Sequence, residues 1–434
     1  MTASVGVPDT SPSSAPPDRR RWWVAALLVA ATTVNYIDRQ AISVAAPVVI
    51  REFGLSALDY AWIPFSFLLA YAVMQIVAGG IVDVIGPRRG LSLSVIWWSV
   101  ASAAHAFATG LGSLIVFRFL LGVGEAGNFP AAIKAISRWF PPAERSLAVG
   151  WLNVGPGLGA MLAPPLIAAL IVLWGWRGAF LATGALGLAW WALWRWTYPP
   201  EPPPPPSALV PSDRPAVPWR ALLTRVDVWG LMLARFVSDG AFYFVTFWLP
   251  QYLATERGFG IAQIGMFAWM PFLAADLGAV AGGWLGARWM ARGMSLHRSR
   301  MLIMWLGAFL VLGILPAGTV ASPYTALAWF SVAMFGIQVK AAGLFTAPAD
   351  MCPNRYAATL WGLTGAAGSL GGMAFQPLVG WLIDRVSYAP VFGIVAAMHL
   401  VSCAIVAAMV PRIGPIEDAL DARKRSYDQS ESPS

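Results

Sequence analysis

The sequence predicts an all-α membrane protein with twelve transmembrane helices in two pseudo-symmetric six-helix bundles. Three observations predict it. Hydrophobic residues make up 58% of the 434 residues and charged residues only 12%, about half of the roughly 25% charged content of soluble domains. The apolar residues fall in repeated runs of about 20, the length a helix needs to cross a bilayer, rather than in the weak ten-residue alternation of a β-barrel. A proline run near the middle separates six such runs from six more. So few charges cannot cover the outside of a soluble enzyme, and a disordered chain would be more polar.

Taken in order, residues 1–20 read as a disordered tail, Pro- and Ser-rich at its start. No cleavable signal is expected, because the first apolar run is long enough to span. Spans begin near Trp22, Tyr60, Leu91, Ser113, Leu147 and Trp176, giving an N-terminal bundle over 21–198. Residues 199–225 read as a linker whose five prolines at 202–206 make it stiff and extended. Spans then begin near Val228, Ile261, Met301, Tyr324, Ala357 and Pro390, giving a C-terminal bundle over 226–412 and a tail over 413–434. The breaks carry turn and charge signals, among them Arg51-Glu52-Phe53-Gly54, Gly86-Pro87-Arg88-Arg89, Arg292-Gly293 and Pro353-Asn354-Arg355.

An even number of spans puts both termini on one side. Of the 29 Lys and Arg, 21 then lie in segments on that side, and only Arg51, Arg177, Arg257 and Arg385 lie opposite. Positive residues mark the cytoplasmic side, so both termini are expected to be cytoplasmic. The net charge of +8 is read through this bias and not as affinity for nucleic acid. Trp22, Trp23, Trp174 and Trp176 suit the membrane interface.

Several chemistries are excluded. Cys352 and Cys403 are too few for a disulfide framework or a Cys-based zinc site, and His105, His297 and His399 are scattered. HExxH, GxSxG and GxxxxGK[ST] are absent, which argues against an enzyme, a metal, a cofactor and direct drive by ATP. The expected partner at this point is the lipid bilayer, with the protein a monomer.

The halves echo each other. Gly159-Ala-Met161-Leu-Ala-Pro-Pro165-Leu in span five matches Gly371-Gly-Met373-Ala-Phe-Gln-Pro377-Leu in span eleven, and Gly79-Gly80-Ile-Val-Asp83 after span two matches Gly283-Trp-Leu-Gly-Ala287 after span eight. Two related six-span bundles imply a rocking transporter with a central site between them. The glycines of spans five and eleven let helices approach closely.

Charges inside spans are rare, because even a lenient scale sets the penalty at about 2.5–3.5 kcal/mol each at mid-bilayer. Arg39, Arg118, Arg235 and Lys340 are the cations within spans. With span one rising and span four descending, Asp38, Arg39 and Arg118 share a level, and Glu125 lies about 10 Å deeper on the same helix face as Arg118. Two acids and two bases then face one cavity; the competing reading is a static network holding spans one and four together. Arg235 and Asp239, at i and i+4, suit a structural pair. Asp276, deep in span eight, reads either as a hydroxyl or proton contact or as packing. Gln338 and Lys340 in span ten read either as substrate contacts or, for Lys340, as a side chain that snorkels toward the cytoplasm. Trp361 defaults to packing, and Gln376 in the same span is a weaker cavity candidate.

These residues carry a resemblance. Gly79-x-x-x-Asp83-x-x-Gly86-Pro-Arg88-Arg89 resembles the loop motif between spans two and three of the major facilitator superfamily, where it acts as a cytoplasmic gate latch. The second copy departs from it, with Ala287 in place of the acid. Asn35-Tyr36-Ile37-Asp38-Arg39 and Arg118-Phe-Leu-Leu-Gly-Val-Gly-Glu125-Ala-Gly-Asn-Phe-Pro130 resemble the anion:cation symporter family of sugar-acid transporters. Trp139-Phe-Pro-Pro-Ala-Glu144-Arg145, Asn153-Val-Gly155 and Pro164-Pro165 are most similar to its hexuronate-type members.

The resemblance implies Asp38 and Glu125 as proton carriers, Arg39 and Arg118 as partners of the substrate carboxylate, and Tyr36 and Tyr71 as lining tyrosines. Galactonate-type members carry a Gln in span five, where this chain has Asn153 and Pro156; uronates and aldarates therefore stand ahead of galactonate. An arriving carboxylate that competes for an arginine frees an acid to take up a proton, which links the two ligands. The planar fork of arginine suits both carboxylate oxygens. The implied activity is proton-coupled uptake of a hexuronate such as galacturonate or glucuronate across a bacterial inner membrane. The alternative is the same machinery working on another organic anion: an aldonate, an aldarate, an aromatic carboxylate or a dicarboxylate.

Overall fold

The first helix, α1 (Arg20–Phe53), is the least lipid-like of the spans, carrying Asn35, Asp38, Arg39 and Gln40 in its middle. In the computed structural model it lies inside the protein, and every residue over 37–47 is buried. The charges face protein and the apolar flanks of other helices face lipid, as the penalty for a charge against hydrocarbon requires. The structure describes residues 20–200, 222–352 and 357–416. The tails, most of the Pro-rich linker and the break at Pro353-Asn354-Arg355 lie outside the described residues.

The remaining N-terminal helices are α2 (Ala57–Ile85), α3 (Pro87–Ala104), α4 (Leu111–Glu125), α5 (Asn128–Trp139), α6 (Pro142–Leu152) and α7 (Val154–Thr197). The C-terminal ones are α8 (Val226–Thr255), α9 (Ile261–Phe267), α10 (Met270–Ala291), α11 (Leu296–Val311), α12 (Ile314–Thr319), α13 (Pro323–Leu344), α14 (Ala347–Met351), α15 (Ala357–Arg385) and α16 (Tyr388–Met409). Among the described residues, ten helical stretches are long and apolar enough to cross a membrane by length and composition. One of them, Leu147–Thr197, is two spans, because Gly175 sits at φ +70°, a value L side chains rarely adopt, and breaks α7 there. With α1 added, the spans number twelve. Observed starts fall within a few residues of the expected ones. The difference lies inside the spans: the fourth, fifth, eighth, ninth and tenth are each built from two helices. The break in the fourth follows Glu125 and makes that acid the last residue of α4.

Local chemistry starts and stops the helices. Ser56 opens α2 with a capping box: its hydroxyl accepts from the Asp59 N–H, and the Asp59 carboxylate accepts from the Ser56 N–H, 3.0 Å each. Gly86, at φ +82°, ends α2, and Pro87 begins α3 where a missing N–H is harmless. The turn inside the gate motif thus needs its glycine.

Packing repeats across the halves. α1 packs on α7 as α8 packs on α15, α2 on α4 as α10 on α13, and α3 on the second part of α7 as α11 on α16. The halves meet through α2 with α15, α1 with α8 and α7 with α9. Hydrogen bonds between them gather at the far end, where α1 finishes: Asp384 to the first turn of α2, and the Tyr60 hydroxyl to the Phe247 carbonyl at 2.8 Å. At the near end, where α1 begins, no hydrogen bond joins the halves among the described residues. The molecule is closed at the far end and open at the near end.

Candidate functional site

One helical turn of α1 organises the site. Arg39, 6% exposed, donates from Nε to Glu125 Oε2 at 2.9 Å and from Nη2 to Asn35 Oδ1 at 3.5 Å. Its guanidinium carbon lies 4.4 Å from the ring centre of Tyr36, 4.6 Å from Tyr71 and 5.0 Å from Phe67. A cation among aromatic faces keeps part of its charge compensated without water. Arg118 is fully buried over Phe67 and donates to the main-chain oxygens of Asp38 and Arg39. The helices bring Arg39 and Arg118 to one level, as their positions along spans one and four imply, and Glu125, expected about 10 Å deeper, is still within reach of the Arg39 side chain.

The four charges do not form a closed network. Arg39–Glu125 is the direct ion pair among them. Asp38, expected to share the cavity, is instead turned toward α3 and the second part of α7. There it accepts from Ser102 Oγ at 2.6 Å, and that hydroxyl lies 3.1 Å from Thr183 Oγ1. A buried carboxylate takes the hydroxyl within reach in preference to none. Asp38 Oδ2, Glu125 Oε1 and Arg118 Nε are buried with no hydrogen-bond partner.

Beside this cluster lies a cavity of about 220 Å³. Tyr36 forms its wall from the N-terminal half, and the rest is C-terminal: Arg235, Asp239, Tyr243, Gln338, Lys340 and His399 among others. Gln338 and Lys340 are therefore brought to the site. Lys340 does not snorkel; it is 1% exposed and donates to Ser402 Oγ at 2.7 Å. Arg235 and Asp239 pair at 2.9 Å, as their spacing implies, but the pair lines the cavity instead of only bracing α8.

Other expected residues fall elsewhere. Asn153 is exposed at the kink between α6 and α7, and it makes no described contact with the Arg39 cluster. Asp276 is half-buried against Gly157 of α7 at the seam between halves. Gln376 is core: it accepts from Trp248 Nε1 at 2.9 Å and is fully buried. Trp361 is half exposed at 50% and lies 5.9 Å from the Arg235 guanidinium carbon. In the gate motif, Asp83, expected to be able to pair across the halves, pairs with Lys134 of its own half at 2.8 Å. Arg88 donates to the Arg195 carbonyl at 3.4 Å, Arg89 is exposed, and Gly79 stands in open space. With the near end open, the opposite half is out of the motif's reach.

Sequence reasoning missed His399 and Tyr243. Arg235, Asp239 and Tyr243 stand at i, i+4 and i+8, a polar stripe on an apolar helix that could have been read as one face. His399 gave no such signal, since its neighbours come from α8 and α13. Cys352 and Cys403 are buried thiols. Among the described residues no group of three or more His, Cys, Asp or Glu could hold a metal.

Comparison with known proteins points one way. The sequence model of the Major Facilitator Superfamily matches residues 28–376. The hexuronate transporter of Escherichia coli (strain K12) is 34% identical over 394 residues, covering 86% of this chain and 90% of that protein. The galacturonate transporter of Dickeya chrysanthemi is 36% identical over 315 residues, covering 68% and 90%. Among solved structures, a bacterial homologue of the human lysosomal transporter Spinster, inward-facing and unoccupied, superposes with a TM-score of 0.74. That likeness covers 90% of this chain and 96% of the other at 21% identity, and it speaks for the fold alone.

Proposed function

The chain belongs to the Major Facilitator Superfamily, and from that premise we propose that it imports a hexuronate such as galacturonate or glucuronate together with a proton, by alternating access. It is a multi-pass membrane transporter of small organic anions, not an enzyme. The near end is the cytoplasmic one, in keeping with the positive residues gathered there.

The observation that carries the reading is the buried Arg39–Glu125 pair, caged by Tyr36 and Tyr71 at the edge of the cavity. A sugar carboxylate that engages the Arg39 guanidinium competes with Glu125. Once released, Glu125 takes up a proton, so substrate and proton load together. Asp38, held by Ser102 beneath the Arg118 contact, is a second proton station. Tyr36, Tyr243 and Gln338 offer groups for sugar hydroxyls. Rocking of the halves about the α2–α15 and α7–α9 seams then carries the site from one face to the other.

The same machinery acting on an aromatic carboxylate would call for a wall of Trp and Phe. No Trp lines the cavity, and although Phe242 and Phe345 do, the hydroxyl- and amide-bearing Tyr36, Tyr243 and Gln338 beside them favour a polyhydroxylated anion. The test is uptake into proteoliposomes driven by a pH gradient. The wild-type protein accumulates galacturonate and Asp38→Asn does not; accumulation by that variant at the wild-type rate would refute the coupling role. Loss of counterflow along with accumulation would instead place Asp38 in binding.

A further inference from the structure

We propose that Lys340, Arg235 and His399 form a second anion subsite, so that the preferred substrate carries an acidic group at each end, as an aldarate does, rather than one. The proposal rests on the sugar-acid reading and moves its preferred substrate from a hexuronate to the corresponding aldarate.

Three helices of the C-terminal half supply the subsite: α8 gives Arg235, α13 gives Lys340 and α16 gives His399. Arg235 spends Nε and Nη2 on a single oxygen of Asp239, at 3.0 and 2.9 Å. Its Nη1 is buried with no hydrogen-bond partner, although the side chain is only 9% exposed. Lys340, 1% exposed, donates to the Ser402 hydroxyl, which itself donates to the Ala234 carbonyl at 2.7 Å. Among the described residues no carboxylate lies within ion-pair distance of Lys340. His399 is 2% exposed, and neither of its ring nitrogens has a partner. All three side chains line the same cavity.

The balance of charge and donors is therefore lopsided. Two cations face one carboxylate, and donor capacity on Arg235, Lys340 and His399 is unspent. Burying a cation without a partner disfavours the empty site, and an arriving anion relieves that penalty. The Arg235 guanidinium carbon lies 4.0 Å from the Phe345 ring centre, and both side chains line the cavity. A planar donor beside a point-charge ammonium suits the two oxygens of a carboxylate.

The subsite and the Arg39 cluster are linked through one residue, Tyr36. Tyr36 lines the cavity and carries Arg39 on its ring. A six-carbon acid seated there can present one carboxylate toward Arg39 and its other end toward Lys340. In a hexuronate that other end is an uncharged C1 group. In the matching aldarate it is a second carboxylate, which meets both cations.

Calorimetric titration of the full-length protein in detergent with galacturonate and with galactarate tests this. The wild-type protein is expected to bind galactarate at least about tenfold more tightly. Lys340→Gln and Arg235→Gln each weaken galactarate far more than galacturonate, bringing the ratio toward one, and Lys340→Arg restores it. Thermal unfolding without ligand checks that the variants fold, and Lys340→Gln should be at least as stable as wild type, because it removes an uncompensated buried charge. Equal affinities in the wild type, or equal weakening of both ligands by Lys340→Gln, would overturn the subsite while leaving the sugar-acid reading intact. If neither ligand binds, the sugar-acid reading falls and the subsite with it.

Discussion

Asp384, on the last turn of α15, caps Ala57 across the seam between the two halves. Its Oδ1 accepts from the Ala57 N–H and its Oδ2 from the Leu58 N–H, 2.8 Å each. The next donor of α2, the Asp59 N–H, goes to Ser56 Oγ. A helix start leaves such donors without internal partners, and here the opposite half supplies the acceptor. The carboxylate also meets the positive end of the helix dipole. This clasp closes the far end.

Asp384→Asn should therefore favour the conformation open at the far end. A carboxylate at an exposed helix start contributes about 1 kcal/mol at most, roughly a fivefold change in the conformational equilibrium. Labelling of a cysteine placed at Ala57 reads this shift. An unchanged labelling rate would show that Gly380, packed on Ala57 and Ala61, and Tyr60 hold the far end by themselves.

Glu125→Ala leaves Arg39 buried without a carboxylate. Breaking a buried pair from one side costs about 3–5 kcal/mol, so the variant should unfold at much lower denaturant or temperature in detergent. Glu125→Gln keeps a hydrogen-bond acceptor for Arg39 and should lose far less stability. It should abolish accumulation driven by a pH gradient while substrate counterflow persists.

A side chain added at Gly159 in α7 would run into the Tyr36 side chain and the Thr33 carbonyl of α1. Gly159→Val should force α7 from α1, displace Tyr36 from the cavity wall and destabilise the protein by about 1–3 kcal/mol. Gly150 in α6 has open space around it. Gly150→Ala should be neutral or stabilising by up to about 1 kcal/mol, since alanine suits a helix better. The thermal unfolding temperature should fall for Gly159→Val and hold or rise for Gly150→Ala.

Outside the membrane-spanning region, Glu52 ties the far end of α1 to the break in α7. It accepts from Trp176 Nε1 and from Arg177 Nη1, 2.6 Å each. The Trp176 hydrogen bond, followed by that of Arg177, holds the Glu52 carboxyl below its ordinary pKa. A lowered folded-state pKa means that the tie contributes above the ordinary carboxylate range and is lost as pH falls through the lowered value. Glu52→Gln should flatten the acid limb of the stability profile, and the loss at neutral pH should stay within about 1 kcal/mol because the pair is solvent-exposed.

How much of this was legible follows from the range of each interaction. Span number, break positions and the two-bundle plan depend on runs of apolar residues and on local punctuation such as Gly86-Pro87, which a chain displays residue by residue. The meeting of Arg39, Arg118 and Glu125 was also readable, because a charge in a hydrophobic helix must seek protein, and helical rise sets its depth. The partners were not. Asp38 bonds to Ser102, 64 positions away, and Asp83 took Lys134 of its own half because the near end stands open.

The amino-acid order by itself thus determined which segments enter the bilayer and which of them carry charges that hydrocarbon will not accept. Only the packed structure decided where those charges point. Lys340, Ser402 and Arg235 come from three helices, and their grouping depends on how α8, α13 and α16 rotate about their axes when packed. Rotation is set by close packing summed over many long-range contacts, whereas hydropathy, which drives insertion, is a sum over neighbours along the chain.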